Sequence, residues 1–200
     1  MTSYWRVPRA WDGEPCYILA GGPSLQSFDA QSIRHARVIA INESYRLAPW
    51  AEILYFCDRK WYERKREDIR RLWTGRWMAT LENQIDGVKA MKNTGEDGFD
   101  EQCWCLRHGH NSGYQAIHLA AHLGASPVYL LGYDMRVPGN RTHWHGGHGA
   151  SPDQYGRNLS DMLPHFAGLA VELEKRGIQV VNLTPGSALE CFPTQSVLCE

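Results

Sequence analysis

The sequence predicts an α/β fold built on a doubly wound, mainly parallel sheet with helices on both faces, and three observations predict it. Six short apolar runs are bounded by turn residues, longer helical patterns alternate with them, and each connection is long enough for a crossover helix. Runs that are apolar throughout, rather than alternating, are those of strands buried on both faces, which favours a parallel sheet over a sandwich or barrel.

In chain order, residues 16–20, 37–41, 52–56 and 76–80 read as the first four strands, and 128–131 and 178–183 complete the set. Residues 59–73 form a strongly charged helical pattern, 112–123 an Ala/Leu/His helix, and 159–176 an amphipathic helix stopped by Gly177. Two segments break the alternation and read as loop insertions: 82–107, polar and Gly-containing, and 137–157, rich in Gly, His and Pro. One Rossmann-like domain over residues 1–200 is the expectation, without repeats or low-complexity tracts.

With 21 basic against 22 acidic residues the chain lacks the overall positive field of a nucleic-acid binder, so nucleic acid is not indicated as a partner. Six cysteines, at 16, 57, 103, 105, 191 and 199, have neither C-x-x-C zinc spacing nor the density of a disulfide scaffold. They read as reduced thiols of a cytoplasmic protein, with Cys16 and Cys57 as small core residues. Residues 1–11 contain no apolar signal-peptide stretch, and no run is long enough to cross a bilayer. Trp5, Trp11, Trp61 and Trp73 fit either a core or a homo-oligomer interface.

Four constellations carry candidate chemistry. The turn Gly21-Gly22-Pro23-Ser24 directly follows the first strand, where glycines admit a ligand close to the backbone and free N–H groups can cradle a phosphate. It matches neither the dinucleotide fingerprint nor a Walker A loop, and a plain strand-to-helix turn reads equally well. Asn111-Ser112-Gly113 opens the second helix, as an ordinary cap or as an anion site at a helix N-terminus. Asp134, after Leu131-Gly132-Tyr133, and Asp58 both end strands. Each suits a sugar hydroxyl, a phosphate-bound magnesium ion, or a turn cap. Finally, Arg141-Thr142-His143-Trp144-His145-Gly146-Gly147-His148 places three histidines within six residues. A mobile, polar lid carrying a general base or a phosphate-binding imidazole is preferred over a plain solvated His/Gly loop and over a metal site, for which no carboxylate or cysteine has matching local spacing. Arg136 and Arg141 flank this loop, and Arg46, Arg59 and Lys60 lie near strand ends; all are candidates to neutralise phosphate. His118 and His122, one helical turn apart, read as surface or core-edge residues.

The Gly-Gly-Pro-Ser-Leu turn, the Val38-Ile39-Ala40-Ile41-Asn42 strand, the Asn111-Ser112-Gly113 helix start and the Leu131-Gly132-Tyr133-Asp134 strand end together resemble one superfamily. It contains the bacterial sialyltransferases of glycosyltransferase family 42 and the archaeal 6-hydroxymethylpterin diphosphokinase-like (DUF115) proteins. The chain also looks like proteins of tailed bacteriophages and prophages, which implies the cytoplasm of a bacterial host. The resemblance implies a nucleotide-dependent transferase that takes an activated sugar. It assigns Gly21, Gly22, Pro23, Ser24, Asn42, Asn111, Ser112, Gly113 and Asp134 to the nucleotide, and His143, His145 or His148 to the general base. The chain is shorter than those enzymes and lacks an evident acceptor-binding lid domain, which leaves donor sugar and acceptor open. Two further readings stand beside this one. A magnesium-dependent pyrophosphokinase would use Asp58 and Asp134 to place the metal, and a non-catalytic protein would sequester a nucleotide.

Overall fold

In the computed structural model, residues 3–146 and 151–196 are described. The strands are β1 (Cys16–Leu19), β2 (Arg37–Ile41), β3 (Ile53–Phe56), β4 (Trp77–Leu81), β5 (Lys89–Asn93), β6 (Cys105–Leu106), β7 (Val128–Leu131) and β8 (Val180–Asn182). The helices are α1 (Arg59–Leu72), α2 (Ser112–His122) and α3 (Pro152–Lys175), with short 3-10 turns at Pro23–Ser27, Ala30–Ile33, Asn42–Arg46 and Pro138–Asn140. The strands form one parallel sheet in the order β6-β5-β4-β3-β2-β1-β7-β8. The predicted α/β class is therefore the one observed.

Successive side chains of the central strands point to opposite faces, and both faces are covered. Ile18 of β1 stands in register with Ile39 of β2 and Leu130 of β7. All three lie in the core with Leu119 of α2 and Phe166 and Leu169 of α3. Leu19, Val38, Ala40 and Leu131 face the other way, against Leu25, Ala30 and Ile33 from the β1–β2 connection. Each Leu, Ile or Val side chain among them, fully withdrawn from water, contributes roughly 1.5–3 kcal/mol. Farther along that second face, α1 packs Trp61, Tyr62 and Ile69 onto Leu54 and Phe56.

Two segments differ from expectation. The 82–107 segment is not a plain insertion: it contributes β5 and the edge strand β6 and is bound to the N-terminal segment, where Trp5 N–H donates to Ala90 O (2.8 Å) and Val7 N–H to Cys103 O (3.0 Å). Helix α3 begins at Pro152 instead of residue 159, because Ser151 caps it by accepting the Gln154 N–H and Pro152 occupies the first turn, where its missing N–H leaves no bond unmade. Trp11 and Trp61 are core residues and offer no surface to a second subunit, while Trp5 and Trp73 are half-buried. Cys16 is buried as expected, and burial pushes its thiol far above the usual range; Cys57 is half-buried. No helix among the described residues is long and apolar enough to cross a membrane.

His118 and His122 are also buried, at 0% and 8% exposure, on a helix covered from Gly113 to its end. The His118 ring stacks on Phe99 at 4.2 Å, accepts the Arg107 N–H at Nδ1 (3.3 Å) and approaches Asp100 O at Nε2 (3.3 Å). One neutral tautomer satisfies both contacts, so the imidazole pins the 94–107 segment to α2. Burial lowers the His118 pKa to about 3 and lowers that of His122 as well. The unfolded chain binds the His118 proton near pH 6.5 and the folded chain only near pH 3, so the stabilisation is complete above pH 6.5 and is lost as pH falls toward 3; His122 adds to it in the same direction. The expected slope is at most about 1.4 kcal/mol per pH unit for each histidine. Urea midpoints at pH 7.5 and 5.0 test it: a lower midpoint at pH 5.0 agrees, and equal midpoints contradict it.

Candidate functional site

Sheet order positions the site. From β1 to β6 the chain advances strand by strand in one direction, then crosses back to add β7 and β8 on the other side of β1. Crossovers of one hand running in opposite directions lie on opposite faces, and the two sets do pack on opposite faces here. At the carboxyl ends of β1 and β7 the neighbouring connections therefore part, leaving the crevice in which open α/β sheets bind ligands. A cleft of about 280 Å³ occupies that position.

Its floor is a close approach between two turns. Gly22 N–H donates to Gly132 O (2.9 Å). The buried Asp134 accepts the Ser24 N–H (3.1 Å) and Oγ–H (2.7 Å). Burial raises the Asp134 pKa, while the Ser24 hydrogen bonds and Arg136 oppose the shift. The Gly-Gly-Pro-Ser turn is thus not an open phosphate nest, because the N–H groups of Gly22 and Ser24 are spent inside the protein. Gly21, Gly22 and Pro23 line the cleft, whereas Ser24 faces a neighbouring hollow. The Gly21 N–H makes no hydrogen bond among the described residues.

The next wall comes from the ends of β2 and the start of α2. Asn42, in the left-handed region at φ 49°, lines the cleft, and the following Ser44 Oγ–H fastens this turn to Ala20 O (2.5 Å). Glu43 also lines it and was not singled out from the sequence; its buried carboxylate is paired with Lys65 (2.8 Å) and accepts the Trp61 indole N–H (3.2 Å). Asn111 caps α2 by accepting the N–H groups of Gly113 (2.7 Å) and Tyr114 (3.3 Å). The Ser112 N–H makes no hydrogen bond among the described residues and is directed from the positive end of the helix. Asn111→Ala is expected to lower stability by about 1 kcal/mol, read as a lower urea midpoint; an unchanged midpoint contradicts the capping role.

The histidine loop closes the cleft. His143 and His145 line it with ring centroids 5.0 Å apart, and Tyr155 of α3 lies 4.6 Å from the His143 ring. Burial, followed by the charge of Asp134, pushes the Tyr155 phenol up to about 12. Trp144 donates its N–H to Gly21 O (3.2 Å) and its indole N–H to Ser44 Oγ (3.3 Å). The described part of the loop is therefore docked onto the β1 and β2 turns rather than standing off as a lid. His148 lies outside the described residues.

Of the predicted site residues, Gly21, Gly22, Pro23, Asn42, Asn111, Ser112, Gly113, Asp134, Arg136, His143 and His145 meet at this cleft. Asp58 does not line it: it caps α1 through the Lys60 N–H (2.8 Å). Arg141 turns to Gln26 Oε1 (2.9 Å), and Arg59 pairs with Glu63 (2.9 Å). The apolar wall of Tyr155, Leu159 and Met162 was not singled out: Leu159 and Met162 lie on the predicted helix without any sign of facing a cleft, and Tyr155 lies in the turns by which α3 starts earlier than the sequence predicts. In comparisons with family models, with curated proteins and with solved structures, no match to this chain was found.

Proposed function

We propose that this cleft binds the phosphates and sugar of a nucleotide, and that the protein is a nucleotide-dependent transferase of glycosyltransferase-like type. One observation carries the reading: at the switch point of the sheet, the turns after β1, β2 and β7, the N-terminus of α2 and two histidines converge on a single cleft. Anion affinity in this reading rests on Arg136, the imidazoles and the Ser112 N–H at the head of α2. The apolar wall of Leu159 and Met162 suits the flat face of a base or sugar.

His143 is the general base in this account. Its ring lies against Gly21, where an added Cβ would stand 3.1 Å from Cδ2, and is backed by Tyr155. It takes the proton of an acceptor hydroxyl as that oxygen bonds to the anomeric carbon; the bond from that carbon to the donor phosphate breaks, and the nucleotide leaves with the electron pair. Asp134, bonded to Ser24, holds the β7 turn against the β1 turn and acts as a positioning residue.

The magnesium-dependent pyrophosphokinase reading loses its carboxylate pair, since Asp58 caps α1 away from the cleft and Asp134 is engaged by Ser24. A thermal-shift panel with CMP, CDP, UDP, GDP, ADP and ATP, with and without magnesium, tests the proposal, because a ligand of the native state raises the melting temperature. A metal-independent shift with a nucleoside phosphate is expected. A shift confined to magnesium-ATP would favour the pyrophosphokinase, and no shift at all would overturn nucleotide binding. Binding without turnover of any nucleotide sugar would leave the sequestering protein as the reading.

A further inference from the structure

We propose that Glu96, His108 and His110 form a binding site for a divalent transition-metal ion of the zinc class, at the rim of the cleft and distinct from the histidine loop. Their ligand atoms all lie within 4.8 Å of one another. Glu96 Oε1 is 3.5 Å from His110 Nε2 and 3.9 Å from His108 Nε2. Bonds of about 2.0–2.1 Å in tetrahedral geometry place ligand atoms about 3.3–3.4 Å apart, so small side-chain movements close this triangle around an ion. Two imidazoles and one carboxylate are a donor set for zinc or cobalt rather than for magnesium or calcium.

The backbone holds the three residues together. His108 N–H donates to Gly95 O (2.8 Å) and Gly109 N–H to Glu96 O (2.9 Å), which zips the two ligand-bearing segments side by side. The His108 carbonyl accepts the side-chain N–H of the buried Gln115 (2.7 Å), whose own carbonyl accepts the Tyr55 phenol (2.8 Å). The ligand turn is thereby anchored through α2 to β3. Such outer support is characteristic of sites in which the ligand geometry is set before the ion arrives. Coordination through Nε2 shifts His108 to its Nδ1–H tautomer and gives up the contact from the His110 N–H (3.1 Å). His165, hydrogen-bonded to Asp97, has its ring 5.0 Å from that of His110. The fourth position is open to water or to an oxygen of a bound ligand.

The test is independent of any nucleotide. Protein freed of metal by chelator dialysis is titrated with Co(II), followed by its visible d–d absorption and by competition with Zn(II). Wild type and a His143→Ala/His145→Ala double variant are expected to bind one equivalent. His110→Ala is expected to weaken binding at least about 100-fold, and Glu96→Gln to weaken it measurably. Both altered side chains are exposed, and thermal melts without metal verify that the variants fold. Failure of wild type to bind one equivalent would overturn the proposal. So would binding that survives His110→Ala and Glu96→Gln, binding lost only in the loop variant, or near-ultraviolet charge-transfer bands marking thiolate ligands.

Discussion

Gly22→Ala is expected to destabilise the protein by about 3 kcal/mol, the upper range for overpacking a closed site. The reason is close approach rather than backbone conformation. Gly22 has φ −67°, which any residue adopts, but a Cβ there would lie 1.9 Å from Asp134 Oδ2 and 2.5 Å from Gly132 O. Neither neighbour can withdraw: one is backbone, and the other is a buried carboxylate fixed by two bonds from Ser24. In a chain of this size the loss corresponds to a melting temperature lower by roughly 6–12 °C. Gly21→Ala provides the contrast, since its Cβ would meet only the His143 ring, at 3.1 Å from Cδ2. That variant is expected to melt near wild type while displacing the imidazole. Thermal melts of both variants decide the matter, and a Gly22→Ala protein as stable as wild type would contradict the packing account.

The second large effect concerns chemistry. If His143 removes the acceptor proton, His143→Ala lowers kcat by about 100- to 10,000-fold and leaves nucleotide affinity nearly unchanged. His145, whose ring lies 5.0 Å from that of His143 and at right angles to Trp144, should have a smaller effect on rate. The donor is the sugar conjugate of whichever nucleotide raises the melting temperature, with turnover read as nucleotide release. Loss of affinity in step with rate would make His143 a binding residue, and unchanged turnover would remove it from the reaction.

What the sequence made legible follows from how each residue is buried. Strands β1, β2, β3 and β7 are covered on both faces, so they appear as unbroken apolar runs such as Ile53–Phe56. Strand β5 buries only Ala90 and Met91 between polar residues, and β6 has two residues, so neither stands out from a polar loop. The first turns of α3 are half-exposed and carry no apolar periodicity, although Ser151-Pro152 is a cap and first-turn pair; extending the helix to it aligns Tyr155, Leu159 and Met162 on one face. Asp58 and Asp134 look alike locally, each a carboxylate ending a strand. Only tertiary placement separates them, giving one to the Lys60 N–H and the other to Ser24. His118 and His122 looked like edge residues because the 94–107 segment that covers them reads as a loop.

Arg136 and Arg141 were likewise equal candidates for phosphate, and the structure separates them: Arg136 lines the cleft, and Arg141 points to Gln26. Both side chains are exposed, so a charge reversal at either should leave the fold intact. The most direct measurement is calorimetric titration of the best nucleotide into wild type, Arg136→Glu and Arg141→Glu. Loss of a charge-assisted phosphate contact at Arg136 should weaken binding by about 10- to 100-fold. Arg141→Glu should bind as wild type does. Equal affinity for wild type and Arg136→Glu, or a loss confined to Arg141→Glu, would contradict a nucleotide seated in the switch-point cleft.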